Sequence, residues 1–295
     1  MLMDICRCVS SFFYPGAAST VTPGDKMIFT LLILLHVCIL TVDSMVISPL
    51  SEGSGIQKRD VYTLDMAPNT VDDMYNGCTE DMHKVVNNYL KEELNRKKFK
   101  NIWNGDECNT WATEKLKNDK GLTLDHFKAL FVYTSKKADN NHFFYDFMKE
   151  VRAKGPEYPS GFSYNALHFF LSDAIRILKE KQPGCVITYR RTKDTYNVKV
   201  NDEIRFGFFA SSSLDRGLAK YGAQDCFQIN TCYGANLKSN EVYDQGEVLI
   251  PPYEVFKVTA VELENKNVLK CEKMYILEKT SKPVSNFNCK AVIKQ

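Results

Sequence analysis

The hydrophobic rhythm of this chain changes once, at Lys181-Gln182-Pro183-Gly184, and that change limits the folds open to it. From Val71 to Lys181 the apolar residues recur at three and four spacings, as in Met82, Val85, Val86, Tyr89 and Leu90 and again in Phe127, Leu130, Phe131 and Tyr133, which is the period of helices. The clearest helix is predicted over Tyr164 to Lys179, where Leu167, Phe170, Leu171, Ala174, Ile175 and Leu178 form one wide stripe that belongs in a core. Beyond Gly184 the apolar runs are short, aromatic and β-branched: Val186–Tyr189, Arg205–Phe209, Cys226–Asn230, Val248–Ile250 and Tyr253–Val258. Helices first and strands second predict an α+β protein in which an N-terminal helical layer packs on a largely antiparallel β core. At 295 residues the chain is long enough to bury such a core.

Charge names no partner. With 38 basic and 36 acidic residues the net charge is +2, so no sequence-wide field favours nucleic acid or an anionic membrane.

Residues Met27 to Val42 form an apolar run preceded by Lys26 and followed by small and polar residues, with Val42-Asp43-Ser44 as a cleavage point. The run is too short to span a bilayer stably and reads as a signal peptide, with an uncleaved anchor as the alternative. Residues 1–44 are therefore read as an extension plus signal peptide, and Met27 is a possible start. Residues 45–65 are read as a flexible polar leader and 66–295 as a single catalytic domain. The C-terminal Lys-Ala-Val-Ile-Lys-Gln carries no apolar tail, so a secreted product without a lipid anchor is expected.

Of ten cysteines, Cys6, Cys8 and Cys38 fall in the part expected to be removed, leaving Cys78, Cys108, Cys185, Cys226, Cys232, Cys271 and Cys289. In an exported protein, wide spacings without Cys-x-x-Cys read as disulfides and not as a zinc site; no metal is expected. Seven is odd, so one thiol is left over or pairs between chains.

Three constellations sit at strand ends. Tyr189-Arg190-Arg191-Thr192 closes an apolar strand on two guanidiniums, whose planar fork can hold a pyrophosphate. Ser211-Ser212-Ser213 follows an aromatic run; a hydroxyl there can orient a neighbouring carboxylate, and the absence of Gly-x-Ser-x-Gly argues against a serine nucleophile. In Gln245-Gly246-Glu247-Val248-Leu249-Ile250-Pro251-Pro252, an extended backbone would put Gln245 and Glu247 on one face, with a carboxylate where the strand enters the core. Each alone also describes an ordinary solvated strand end.

Together, an arginine, then Ser-x-Ser, then Glu-Val-Leu-Ile-Pro-Pro on successive strands resembles the Arg-Ser-Glu signature of the vertebrate ecto-mono-ADP-ribosyltransferases. Asp72-Asp73-Met74-Tyr75, Ala166-Leu167-His168-Phe169-Phe170-Leu171, Arg205-Phe206-Gly207 and Thr231-Cys232-Tyr233-Gly234 add to it, so the likeness runs from about Asp65 to Cys289. The resemblance implies a split β-sandwich core that binds NAD, with NADP as a further possibility, and transfer of ADP-ribose to a protein side chain, nominally arginine. By it, Arg190 anchors the NAD phosphates and the nicotinamide ribose, Ser211 positions Glu247 by hydrogen bonding, and Glu247 stabilises the oxocarbenium character that develops on the ribose. Tyr189 and Tyr221 are further cofactor-binding candidates, Tyr221 flanking the nicotinamide. The resemblance also implies the disulfides Cys78–Cys289 and Cys185–Cys232, the first closing a loop that removes roughly 4 to 5 kcal/mol of unfolded-state entropy. It leaves Cys108, Cys226 and Cys271 unassigned.

One position departs from the pattern. Arginine-specific members carry Glu-x-Glu, whereas the acceptor-facing position here is Gln245. Glutamine cannot pair as an anion with a guanidinium or take its proton, while Glu247, which the NAD half needs, is intact. Asp244 could compensate only through a bulge or turn. NAD cleavage is therefore expected, with transfer to arginine weakened or replaced by water. An NAD glycohydrolase and a catalytically silent extracellular binding protein are the alternatives.

Overall fold

The computed structural model describes residues 61–119, 121–135, 143–240, 242 and 245–292, within one unit that spans residues 58–295. The expected signal peptide, the expected leader up to residue 60 and Asp244 lie outside the described residues.

Among the described residues six helices occupy the first half: α1 Thr79–Glu93, α2 Lys97–Trp103, α3 Asp106–Asn118, α4 Leu124–Thr134, α5 Phe143–Ala153 and α6 Asn165–Glu180. The stripe predicted on α6 is buried throughout, and its flanks Asn165, His168, Ser172 and Asp173 are buried as well, so this helix runs through the middle of the core. Its N-terminus is held from outside: the Glu93 carboxyl at the end of α1 accepts the Ala166 N–H at 2.5 Å and the Leu167 N–H at 3.2 Å, two donors that a helix start leaves without partners. Burial pushes Glu93 up to about 8.

Among the described residues there are ten strands, eight of which, all from the second half, form one sheet. In chain order the strands are β1 Val61–Thr63, β2 Val186–Arg191, β3 Thr195–Asn197, β4 Glu203–Ile204, β5 Ala210–Ser213, β6 Asp225–Thr231, β7 Ala235–Asn236, β8 Glu247–Ile250, β9 Phe256–Leu263 and β10 Lys273–Lys279. The large sheet has the order β4-β9-β10-β6-β2-β5-β8-β7, antiparallel except for β10 on β6. This is an α+β architecture, as the two hydrophobic textures predict. The middle of the sheet is its weak joint, because β2 meets β5 at the single pair Tyr189↔Ser213. On one side of that joint Phe227, Ile229, Phe256, Tyr275 and Leu277 build a sheet core; on the other Phe209, Ala235, Leu237 and Leu249 belong to the helical core.

Three expectations need correction. Arg205–Phe209 is not a strand, because Gly207 takes φ +71° and a Cβ there would lie 2.6 Å from Ala67 Cβ, while the Arg205 side chain is drawn inward. Strand β9 starts at Phe256, not Tyr253, since Tyr253–Val255 still follow the turn after Pro251-Pro252. Val61–Thr63, read as leader, forms a parallel two-stranded pair with β3 in which the Tyr62 and Tyr196 rings lie 5.9 Å apart.

Arg205 explains why Asp72-Asp73 and Arg205-Phe206-Gly207 matter. Its Nη1 donates to Asp72 Oδ2 at 2.6 Å and to the Val284 carbonyl at 2.8 Å, its Nε to Met66 O at 2.6 Å and its Nη2 to Ala67 O at 3.0 Å. Asp73 accepts from Tyr75 N–H, Cys289 N–H and the Tyr158 hydroxyl, each at 2.8 Å, and burial still raises its carboxyl to about 6. Together with the Cys78–Cys289 disulfide, these bonds tie the beginning of the fold to its end. A second disulfide joins Cys185 to Cys232 and a third Cys226 to Cys271, leaving Cys108 as a buried thiol that burial pushes up to about 12.

Candidate active site

The joint between β2 and β5 is where the site residues meet. Arg190 is next to last on β2. Its Nη1 reaches across to donate to the Ser211 carbonyl on β5 at 2.8 Å, and its guanidinium carbon lies 5.6 Å from the centre of the Phe208 ring. The Arg190 Nε is buried and has no hydrogen-bond partner among the described residues. A buried guanidinium N–H without a partner is uncommon and points to an acceptor that arrives from outside the chain.

The three serines of β5 do different things. Ser212 Oγ donates to the Val248 carbonyl at 2.9 Å and Ser213 Oγ to the Gln245 carbonyl at 2.5 Å, so both are used to fasten β5 to β8 and its approach. Ser213 also receives the Asp215 N–H at 2.8 Å. Ser211 alternates with Ser212 and shares a face with Ser213, which stands directly opposite Glu247; Ser211 and Glu247 are thus diagonal neighbours on one face. Glu247 is the first residue of β8, half-buried at the mouth of the helical core.

Sequence reasoning missed a residue here. Tyr133, on α4, is 4% exposed; its hydroxyl donates to the Phe209 carbonyl, contacts the Ser211 side chain and lies within range of the Arg190 and Glu247 charges. Burial, with the Glu247 charge adding to it, raises the phenol well above the ordinary tyrosine range, against opposing contributions from Arg190 and Ser211. At helical spacing Tyr133 reads as one more apolar stripe position; only the hydroxyl distinguishes it from phenylalanine there.

Gln245 does not continue the strand. Gly246 has φ +58°, so the extended backbone assumed from the sequence is broken between Gln245 and Glu247, and Gln245 sits in a bend. Its position is set by the Ser213 bond and by the Tyr221 hydroxyl, which donates to Gln245 Oε1. Tyr221 is 46% exposed, at the end of a short turn whose backbone Arg191 clamps, donating to the Arg216 carbonyl at 2.9 and 3.2 Å and to the Gly222 carbonyl at 3.5 Å. The second guanidinium of the Arg190-Arg191 pair thus shapes the rim. Tyr189 points away from Arg190, as adjacent strand residues must, and packs on the cluster of Cys226, Leu269, Cys271 and Met274. The structure brings Arg190, Ser211 and Glu247 together, sets Tyr221 against Gln245 beside them, and turns Tyr189 elsewhere. Among the described residues no group of three or more His, Cys, Asp and Glu side chains is placed to hold a metal ion.

A family model described as NAD:arginine ADP-ribosyltransferase matches residues 64–272. T-cell ecto-ADP-ribosyltransferase 2 of Mus musculus is 35% identical over 243 residues, covering 77% of each chain. Ecto-ADP-ribosyltransferase 5 of Homo sapiens is 32% identical over 251 residues, covering 79% of this chain and 82% of its own. Among solved structures, the eukaryotic mono-ADP-ribosyltransferase ART2.2 superposes with a TM-score of 0.64 at 33% identity, over 77% of this chain and 98% of that one. A mutant of ART2.2 in complex with NAD gives a TM-score of 0.63 at 31% identity, over the same shares of the two chains.

Proposed function

Because this chain belongs to the NAD:arginine ADP-ribosyltransferase family, we propose that it is an NAD-dependent mono-ADP-ribosyltransferase whose working residues are Arg190, Ser211 and Glu247. The observation that carries the assignment of residues is the Arg190 fork, bonded to the chain through Nη1, with a buried Nε beside Ser211 and Glu247 that has no partner among the described residues. Arg190 holds the negative phosphates of NAD, and the Phe208 ring beneath it shields one side of the planar guanidinium from water. Glu247 stabilises the positive charge that grows on the ribose as the bond to nicotinamide breaks, by hydrogen bonding the ribose hydroxyl. Tyr221, on the exposed rim, flanks the nicotinamide. NADP is accepted where the adenosine end leaves room for its extra phosphate.

The acceptor side is weaker than the NAD side, and one bond supports that reading. With the Tyr221 hydroxyl donating to Oε1, Gln245 turns its amide N–H groups toward the acceptor. A guanidinium offers only donors, so it meets donors there, whereas water can offer a lone pair. The enzyme therefore transfers to arginine with a large share of turnovers lost to hydrolysis, which is the glycohydrolase reading of the same site. The test is the fraction of ADP-ribose captured by a small arginine analogue, in wild type and in Gln245→Glu. A several-fold rise in captured fraction in the variant is expected; an unchanged fraction would show that Gln245 does not govern acceptor choice.

Three disulfides and relatives named as ecto-enzymes fit action in an oxidising, extracellular setting. Among the described residues no helix is long and apolar enough to cross a membrane. Secretion through Met27–Val42 completes the proposal.

A further inference from the structure

Resting on that reading of the site, we propose that Tyr133 is a positioning residue, through which the helical layer sets the Ser211 hydroxyl between Arg190 and Glu247. Three observations converge on it. The Tyr133 hydroxyl donates to the Phe209 carbonyl, the last backbone acceptor before β5 begins at Ala210, so the phenol fixes the entry of the strand that carries Ser211. The same oxygen contacts the Ser211 side chain. Ser212 and Ser213 direct their hydroxyls to the Val248 and Gln245 carbonyls, which leaves the Ser211 hydroxyl as the one beside Tyr133 among the three β5 serines.

The chemistry of the contact follows from counting protons. A phenol has one, and the Phe209 carbonyl can only accept it; what Tyr133 offers Ser211 is therefore a lone pair. The Ser211 O–H is drawn toward Tyr133 and so is not donated to the Glu247 carboxylate, contrary to what the resemblance implies; its own lone pairs are left to accept from a substrate hydroxyl or amide. Two residues along from Phe209, the Ser211 carbonyl receives Arg190. One phenol thereby fixes the strand from which both a substrate-facing hydroxyl and the phosphate-binding arginine take their bearings. Its ring is held in turn by Phe144, Phe147 and Phe209, at centroid distances of 5.1, 6.1 and 6.1 Å, so the hydroxyl has little freedom to swing away.

Nothing in this role requires Tyr133 to touch the reacting atoms, which separates it from Glu247 and gives it a distinct signature. Replacing Tyr133 with phenylalanine keeps the ring packing and removes one hydroxyl. In Tyr133→Phe, kcat for nicotinamide release is expected to fall about tenfold, the equivalent of one hydrogen bond of ordinary net worth, while KM for NAD stays within about twofold. The decisive arm is the double-mutant cycle. In a Ser211→Ala background the same substitution should change kcat by less than about twofold, because the hydroxyl it positions is gone. A merely structural tyrosine would lower the thermal midpoint in both backgrounds and leave the two kcat ratios equal.

An unchanged kcat in Tyr133→Phe, or an equal loss in both backgrounds, overturns the proposal. If Tyr133→Phe does not fold, site-specific 3-fluorotyrosine at the same position carries the test. A more acidic phenol is a poorer acceptor for the Ser211 proton, so kcat should drop in that variant too; no drop overturns the proposal. Wild type and Glu247→Ala run alongside: absence of nicotinamide release from the wild type overturns the functional reading itself and the role of Tyr133 with it, an outcome distinct from a wild type that works and a Tyr133→Phe that works equally well.

Discussion

Arg205 and Arg190 are two guanidiniums in the same domain with opposite surroundings. Every nitrogen of Arg205 donates to the chain, its charge is matched by Asp72 at 2.6 Å, and its side chain is 1% exposed. Arg190 gives one bond to a backbone carbonyl and rests on a ring, and its buried Nε has no partner among the described residues. The first is a closed account of donors and acceptors that pins residues 66–72 to 284; the second is an open one. A satisfied buried arginine is a fastening, and an unsatisfied one beside a carboxylate and a serine is a binding group. The difference lies in the hydrogen-bond inventory and not in burial alone, since both are drawn inward.

The sharpest way to break the comparison is to remove each in turn. Arg205→Leu leaves Asp72 buried without its partner and should cost about 3–5 kcal/mol of stability, enough to abolish accumulation of folded protein. Arg190→Leu should change stability by less than about 1 kcal/mol while lowering kcat/KM for NAD by about a hundredfold or more. Thermal melts and nicotinamide release, measured on both variants, should show this crossed pattern. Equal losses of stability in the two would erase the distinction.

A smaller effect tests the fastened region by pH. Burial raises Glu93 to about 8, above its unfolded value, so its contribution is fully present below pH 4.5 and is lost as pH rises through 8. Asp73, raised to about 6, acts with the same sign below that pH, and buried His168, pushed down to about 4, acts with the opposite sign from pH 4 to 6.5. Between pH 6.5 and 8 Glu93 is therefore the cleanest contributor, and stability should fall by about 2 kcal/mol across that window. Denaturant midpoints of wild type and Glu93→Gln measure it; the slope should largely vanish in the variant, and an undiminished slope would mean that another group titrates.

The smallest effect is at the rim. Tyr221→Phe frees Oε1 of Gln245 to turn toward an acceptor, and the fraction of ADP-ribose captured by an arginine analogue should rise by a few-fold, as expected for one exposed hydrogen bond. This readout is a ratio and does not depend on total turnover.

What the sequence reveals and what it conceals divide along the same line. The α6 stripe, the strand that carries Arg190 near its end and the Glu247-Val248-Leu249-Ile250 run are visible because local period and local chemistry agree over several residues. Arg205-Phe206-Gly207-Phe208-Phe209 looks like a strand because alternation is local, whereas what bends it, Asp72 and Ala67, lies far away in the chain. The Cys226–Cys271 pair is equally hidden, since spacing alone cannot choose among seven cysteines. Tyr133 is concealed by its own good fit to a helical stripe. The bend at Gly246 was open to view in principle, for a glycine between two polar residues ahead of a strand is where a positive φ is tolerated.

The account stands or falls on the carboxylate at the head of β8. Nicotinamide release from NAD by the purified domain, set beside Glu247→Ala, measures it directly. The geometry predicts steady release that drops by about two to three orders of magnitude in the variant with the fold and its melting temperature preserved. Release that is absent in the wild type, or that persists undiminished in Glu247→Ala, would contradict the claim that this cleft breaks the bond between nicotinamide and ribose.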